Sequence, residues 1–299
     1  MVKDEYVIAV RTYARSSIFP QKTYRMLEHN GLTDRLYIFV ADAAEKARYE
    51  AALAGKSYRK IIVGQLGGAN AIRAICQYFP KGQRIVFMDD DLDRFFEFSR
   101  THEFTKDSTK LAKYLEDGFA TMDEHKCGSF TFSFMSNKMW LGDKPFKEFR
   151  PFMVAGNFFG VRNDPKMITT KYSHGDDIQR TVRYIDRYGG TLVYWWAGFS
   201  TNYGKEAGGL QASGDRGSAE SASNRLRKTG EISWLTYNAD PLLQAYGKPP
   251  AQEKSNPFVT VKLKALPGLR VAMRERGVLR DGLAWPTWFG RKMERVLVQ

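Results

Sequence analysis

Arg84-Ile85-Val86-Phe87-Met88-Asp89-Asp90-Asp91-Leu92-Asp93 is the stretch from which the rest of the chain is read. Ile85 to Met88 is an apolar run bounded upstream by Lys81-Gly82, and it predicts a buried strand. The three adjacent carboxylates that close it repel one another, and a divalent cation offsets that repulsion. Mg²⁺ and Mn²⁺ prefer oxygen ligands and are often held by one or two carboxylates plus substrate phosphates. In open α/β sheets the ligand crevice lies beyond the carboxyl ends of the strands. The stretch therefore predicts a metal–diphosphate site. The plainer alternative is a solvated acidic turn, and the strand ahead of it weighs against that.

Upstream, strands are predicted at Tyr6–Val10, Leu36–Val40 and Lys60–Gly64. Helical patterns separate them: one from Pro20 to the Asn30-Gly31 C-cap, one from Ala43 to Leu53, and one from Ala69 to Phe79. Strand–helix alternation implies a parallel sheet with right-handed crossovers. The first strand runs into Arg11-Thr12-Tyr13-Ala14-Arg15-Ser16, which offers guanidinium groups for phosphate and a ring for a base or ribose. Gly67-Gly68 opens the third helix, whose N-terminal amides suit a phosphate. A dinucleotide fingerprint and a Walker loop are both absent from the sequence, which argues against those enzyme classes.

Downstream, Ser108 is read as the N-cap of a helix running to Met122, and Phe130–Phe134 as an alternating strand. Val154–Val161 reads as a strand interrupted by Gly156, a mark of close approach by a ligand or backbone. His174-Gly175-Asp176-Asp177 opens a helix, where Asp also serves as an ordinary N-cap. His174 is read as a polar turn residue rather than a metal ligand. Leu192–Trp196 is a further strand, and a Gly/Ser-rich loop from Tyr203 to Ser218 has the texture of an active-site lid. Ser233–Tyr246 reads as helical.

The 299 residues carry 43% hydrophobic and 14% aromatic side chains, a globular composition. No run nears the ~20 apolar residues of a membrane span, and Met1–Glu5 has no signal-peptide pattern. Cys76 and Cys127 have no metal-type spacing and suit a reducing cytoplasm. A net charge of +13 favours a polyanionic partner, nucleic acid or an anionic membrane surface. From Ala251 to Gln299 there are ten Lys or Arg against four Asp or Glu, with Trp285 and Trp288 among them. Bases interleaved with aromatics suit nucleic acid, and equally a C-terminal arm packed on the core.

Taken together, these residues resemble the GT-A class of nucleotide-sugar glycosyltransferases. The resemblance rests on the N-terminal strand with its nucleotide loop, the Asp-x-Asp of Asp89-Asp90-Asp91, and the helix-opening Asp176-Asp177. More narrowly, Ile8–Arg15, Phe87–Leu92 and Gly208-Gly209-Leu210-Gln211 look like the TET-associated glycosyltransferases, phage-type enzymes of DNA glycosylation at hydroxymethylated pyrimidines. The broad likeness covers about residues 5–205, and the tail after 251 matches no family pattern.

The resemblance implies an α/β GT-A (Rossmann-like) fold, a mostly parallel sheet flanked by helices with a loop-rich C-terminal extension. Residues 1–205 would form the nucleotide-sugar-binding core, 206–250 a lid and a helix completing the site, and 251–299 a basic arm. It implies Mn²⁺ or Mg²⁺ on Asp89 and Asp91, and a donor such as UDP-glucose held by Arg11, Thr12, Tyr13, Arg15, Asp42, Gly68, Arg73, Asp89 and Asp90. Asp42 would accept from a uracil N–H. Asp176 or Asp177 would be the general base, with Asn157, Gly209, Leu210 and Gln211 on the acceptor. A base at a helix N-terminus should have a lowered pKa, a tension within this assignment. DNA carrying hydroxymethylated pyrimidines would be the acceptor, in the cytoplasm of an infected bacterial host if the chain is of phage origin. Three other readings stand beside it: a glycan or protein acceptor, a non-catalytic DNA-binding α/β module, and a nucleotidyltransferase, which usually has a Gly-rich phosphate loop.

Overall fold

Val7 to Val10 is apolar at every position, and the computed structural model of the chain shows why. Strand β1 (Val7–Arg11) is covered on both faces. Tyr6, Ile8 and Val10 enter one apolar cluster, while Val7 and Ala9 enter another on the opposite side. The structure describes residues 5–99, 101, 103–133, 144–154, 156–170, 176–201, 208, 237–248 and 260–261.

The predicted alternation is present as β1, α1 (Thr23–His29), β2 (Leu36–Val40), α2 (Ala43–Ala52), β3 (Lys60–Val63), α3 (Gly68–Tyr78) and β4 (Arg84–Met88). Next come β5 (Leu92–Phe98), β6 (Phe104–Thr105), α4 (Leu111–His125), β7 (Ser129–Phe132), β8 (Lys147–Arg150) and β9 (Phe158–Arg162). Then follow α5 (Pro165–Ile168), α6 (Asp176–Tyr188), β10 (Thr191–Tyr194), β11 (Ala197–Thr201), a helix at Pro241–Tyr246 and a small antiparallel pair, β12 (Gly247–Lys248) and β13 (Thr260–Val261). An eight-stranded sheet has the order β3-β2-β1-β4-β9-β7-β10-β8. It is mostly parallel: β8 and β9 alone oppose the other six strands. Residues of α1, α2 and α4 join the cluster on one face, and those of α3, α5 and α6 the cluster on the other.

The strand order has a functional consequence. β2 and β3 lie on one side of β1, and β4 lies on the other. Sheet growth therefore reverses between β1 and β4, and such a switch point opens a crevice outside the strand ends. The Arg11–Arg15 loop leaves β1 there and the acid triplet leaves β4.

Several expectations need correction. Gly156 does not interrupt a strand, because β9 begins at Phe158. The glycine that β9 requires is Gly160, where a Cβ would lie 2.0 Å from the Phe130 ring. Helix α4 starts at Leu111, three residues beyond Ser108. The backbone N–H of Ser108 instead donates to Phe95 O at 2.8 Å. The Leu111 N–H is capped from another element, by Asn30 Oδ1 at 3.0 Å. A second sheet of order β11-β5-β6 was not anticipated. In β5 both Phe95 and Phe96 are buried, so the strand lacks the alternation that would have revealed it. Of the predicted Ser233–Tyr246 helix, the described part packs Leu243 against Val182 of α6. No helix among the described residues is long and apolar enough to cross a membrane.

Candidate functional site

The acid triplet forms a tight turn from β4 into β5, and the turn is held from three sides. Thr23, the first residue of α1, donates its hydroxyl to Asp89 O at 2.8 Å and accepts from the Leu92 N–H at 2.9 Å. The Asp89 N–H donates to Asn157 O at 2.9 Å. The remaining contacts come from the loop after β1.

Within the turn the three carboxylates are not equivalent. Asp90 is buried and both its oxygens are engaged, Oδ2 by the Thr12 hydroxyl at 2.5 Å and Oδ1 by Arg15 Nη1 at 2.5 Å. Because Thr12 gives its single proton to Asp90, the buried Tyr49 hydroxyl is the donor in the Tyr49–Thr12 contact. The same Arg15 nitrogen lies 3.0 Å from Asp91 Oδ2. Arg11 Nη2 lies 3.4 Å from Asp89 Oδ1 and donates to Gly156 O at 3.4 Å. Asp89 keeps 32% of its side-chain surface open.

Helix α2 fixes the arginine loop from behind. Glu45 accepts from the Ala14 N–H at 2.8 Å and is itself 1% exposed. Ala14 takes a left-handed φ of +53°, which turns the chain so that Arg15 reaches the acids. Gly208 rests on this loop: at φ +86°, a Cβ there would lie 2.4 Å from Ala14 O.

Across the crevice, α6 opens with the acidic pair. Asp176 Oδ2 lies 3.3 Å from Arg180 Nη2, one turn along, and 3.7 Å from Arg11 Nη1. Arg180 is fully buried with its guanidinium 4.2 Å from the centre of the Phe159 ring. Asp177 accepts from the adjacent Ile178 N–H at 2.9 Å and has no such ion pair among the described residues. Val154, Gly156 and Asn157 make backbone contacts to the two sides. The Val154 N–H donates to Thr181 Oγ1 at 2.9 Å, Gly156 O takes Arg11, and Asn157 O takes the Asp89 amide.

Electrostatically the site is short of positive charge. Burial pushes the Asp89 carboxyl up to about 7; Arg11 opposes this, while Asp91, Asp90 and Asp176 reinforce it. Asp90 is also raised, by burial first, against Arg15 and the Thr12 hydrogen bond. Asp177 is raised by burial and then by Asp176, against Arg180 and the backbone hydrogen bond from Ile178, so its net direction is opposite to the lowering expected of a carboxyl at a helix start.

Among the described residues no group of three or more His, Cys, Asp or Glu is arranged to hold a metal ion. The donor set nevertheless fits a hard cation completed by a ligand. Asp89 Oδ2 and Asp91 Oδ1 have no hydrogen bond among the described residues, whereas Asp90 is spent on the protein.

No family model matches the chain, and no curated protein matches its sequence. Several solved structures share its general layout. S. aureus TarS, in a structure of residues 1–349 with UDP-GlcNAc, is 11% identical over 78% of this chain and 73% of that one, with a TM-score of 0.44. A mycobacterial protein is 11% identical over 88% of each chain, TM-score 0.44. A Bacillus anthracis protein named as a glucose-1-phosphate thymidylyltransferase, in complex with a sucrose, is 12% identical over 64% of this chain and 89% of that one, TM-score 0.38. Likeness at this level carries no argument about chemistry, which rests on the site itself.

The structure brings Arg11, Thr12, Arg15, Asp89, Asp90, Asp91, Asn157, Asp176 and Asp177 together in one network of contacts beyond the carboxyl ends of β1 and β4. Tyr13 sits half-buried in the arginine loop. Asp42 caps α2, accepting from the Glu45 N–H at 2.8 Å, and Gly68 is the first residue of α3 after Gly67 at φ +97°. Arg73 is turned aside, donating to Asn70 Oδ1 at 2.8 Å and to Thr170 O at 3.4 Å. Asn157 takes part through its backbone carbonyl. His174, Gly209, Leu210, Gln211 and, apart from Thr260–Val261, the basic arm lie outside the described residues. Sequence reasoning missed Thr23, Glu45, Tyr49 and Arg180. Asp42-x-x-Glu45 has the spacing of a capping box and Asp176…Arg180 that of a helical i,i+4 pair, but neither spacing discloses burial.

Proposed function

We propose that the chain is a glycosyltransferase that moves a sugar from a nucleotide diphosphate donor, a UDP-sugar, to a hydroxyl of an acceptor. The observation carrying this reading is the meeting, at the β1/β4 switch point, of an acid turn, two arginines and the half-buried carboxyls that open α6. Asp89 and Asp91 would hold Mn²⁺ or Mg²⁺, which supplies charge neutralisation at the diphosphate. Arg11, Thr12, Tyr13 and Arg15 line the nucleotide side, with Asp42 and the Gly67-Gly68 helix start at its edge.

Asp177 is the better base of the acidic pair. Asp176 is occupied by two guanidinium groups, whereas Asp177 has no ion pair among the described residues and its carboxyl is raised by burial and by Asp176. In the reaction the acceptor hydroxyl loses its proton to Asp177 as its oxygen bonds to the anomeric carbon. The bond from that carbon to the diphosphate oxygen breaks, and the arginines take up the charge of the leaving nucleoside diphosphate. The acceptor we propose is DNA bearing hydroxymethylated pyrimidines, in keeping with the +13 charge.

Purified protein with Mn²⁺ should release UDP from a UDP-sugar in the presence of DNA containing 5-hydroxymethylcytosine or 5-hydroxymethyluracil. Asp177→Asn should abolish transfer while leaving UDP binding intact. Equal sugar transfer to unmodified DNA would dismiss the modified-base acceptor, and no turnover with any sugar nucleotide would dismiss the enzyme.

A further inference from the structure

Arg180 carries a positive charge into the core with one carboxylate beside it. Its side chain has no exposed surface, and Nη1 and Nη2 lie 3.4 and 3.3 Å from Asp176 Oδ2, its one ion-pair partner among the described residues. The guanidinium lies over the Phe159 ring, which in turn stacks on Phe87 with ring centres 4.6 Å apart and planes 9° from parallel. The same Asp176 oxygen is 3.7 Å from Arg11 Nη1. We infer that Arg180 is a positioning residue: from inside the core it fixes Asp176, and Asp176 fixes Arg11 for the donor diphosphate. This rests on the donor site proposed above and names what holds one of its arginines.

Burial carries the argument. An Asp–Arg pair four residues apart on an exposed helix face contributes little, because water competes for both groups. Here the cation is out of water and is retained only against a carboxylate, which ties Asp176 to it. The Arg180 Nε has no hydrogen-bond partner among the described residues, so Asp176 at its edge and Phe159 at its face are what fasten the guanidinium. Arg11 is held more loosely. Its contacts to Asp89, Gly156 O and Asp176 lie at 3.4, 3.4 and 3.7 Å, and the three together set its direction. Of the two carboxylates, Asp89 has 32% of its side chain open and Asp176 13%, and Asp176 is the one anchored to a group inside the core.

The test is a double-mutant cycle on the full chain, read by calorimetry of UDP binding with Mn²⁺ present. Arg180→Met removes the buried charge and keeps an unbranched side chain over Phe159. It should weaken UDP binding about tenfold in the otherwise wild-type chain and less than about twofold in an Arg11→Gln background, the scale of coupling between residues of one network. Arg180→Lys keeps the charge and should bind UDP more tightly than Arg180→Met. If Arg180→Met does not melt cooperatively, Asp176→Asn cuts the same link and should show the same dependence on Arg11. An equal loss in both backgrounds, no loss in either, or a Lys variant as weak as Met would reduce Arg180 to a stabiliser of α6. Any of these overturns the inference and leaves the donor site standing. No UDP binding by the wild-type chain would overturn the donor site, and the relay to Arg11 with it.

Discussion

Thr23 offers the sharpest test of how the acid turn is built. Its side chain has no exposed surface, and its one hydroxyl bridges Asp89 O and the Leu92 N–H across the turn. Thr23→Val keeps the shape and removes both bonds, leaving one buried acceptor and one buried donor without a partner. Each such orphan costs about 1–3 kcal/mol. Asp89 is partly open, so water can relieve its carbonyl but not the Leu92 amide. The expected loss is therefore about 2–4 kcal/mol, well inside the 5–15 kcal/mol that a domain usually has. Thr23→Ser keeps the hydroxyl and loses a methyl, which should cost about 1 kcal/mol. Urea unfolding reads both variants, as a lower midpoint at unchanged slope. UDP binding with Mn²⁺ should weaken markedly in the Val variant and little in the Ser variant, because only the former frees Asp89 and Asp91 from their geometry. A Val variant within about 0.5 kcal/mol of wild type, or a Ser variant as damaged as Val, would refute this account of the turn.

Three further outcomes follow from other positions. Gly208→Ala, facing Ala14 O at 2.4 Å with φ +86°, should weaken UDP binding in calorimetry and lower the urea midpoint by the equivalent of about 1 kcal/mol or more. Lys126→Gly should stabilise the protein by about 1 kcal/mol in the same unfolding experiment, since Lys126 closes α4 with a left-handed φ of +52° that glycine adopts without penalty. Asp89→Asn should stabilise the metal-free protein, increasingly so from pH 5 to pH 8. A carboxyl raised on folding contributes stability that is present below its unfolded pKa and lost as pH rises through about 7. The displacement from 3.8 to about 7 corresponds to about 4 kcal/mol in full, and with 32% of the side chain open about half of that should register. An Asn advantage that does not grow with pH would remove burial as the cause.

What the sequence disclosed follows from what local pattern can carry. β1 to β4 were legible because each is a short apolar run with a helical spacing between, and the acids at the end of β4 marked the turn on which Arg11 and Arg15 converge. Strand order was not legible, yet it brings Arg15 within 3.0 Å of Asp91, residues 76 positions apart. Pairings at that separation leave no periodic trace. β5 escaped because Phe95 and Phe96 are buried on opposite faces, and Asn30 looked only like a helix end although its side chain also caps α4. Glu45 was one acid among others in a helix rich in Ala, Glu, Lys and Arg. Its role depends on Ala14 having turned toward it, and that turn is a backbone angle no residue type announces.

Asp90 and Asp91 sit side by side, and the structure gives them opposite failure modes. Asp90 spends both oxygens inside the protein, on Thr12 and Arg15, so Asp90→Asn turns an acceptor of two hydrogen bonds into a group that must present an N–H to one of them. It should unfasten the arginine loop, lowering the unfolding midpoint and weakening UDP binding with and without Mn²⁺ alike. Asp91 gives one oxygen to Arg15 and keeps the other, so Asp91→Asn should leave the midpoint near wild type and abolish only the gain in UDP affinity that Mn²⁺ confers. The pair of variants separates a turn built to hold a loop from a turn built to hold an ion. If both lose UDP binding in the same metal-dependent way, Asp90 is a ligand too and the division of labour drawn from their hydrogen bonds is wrong.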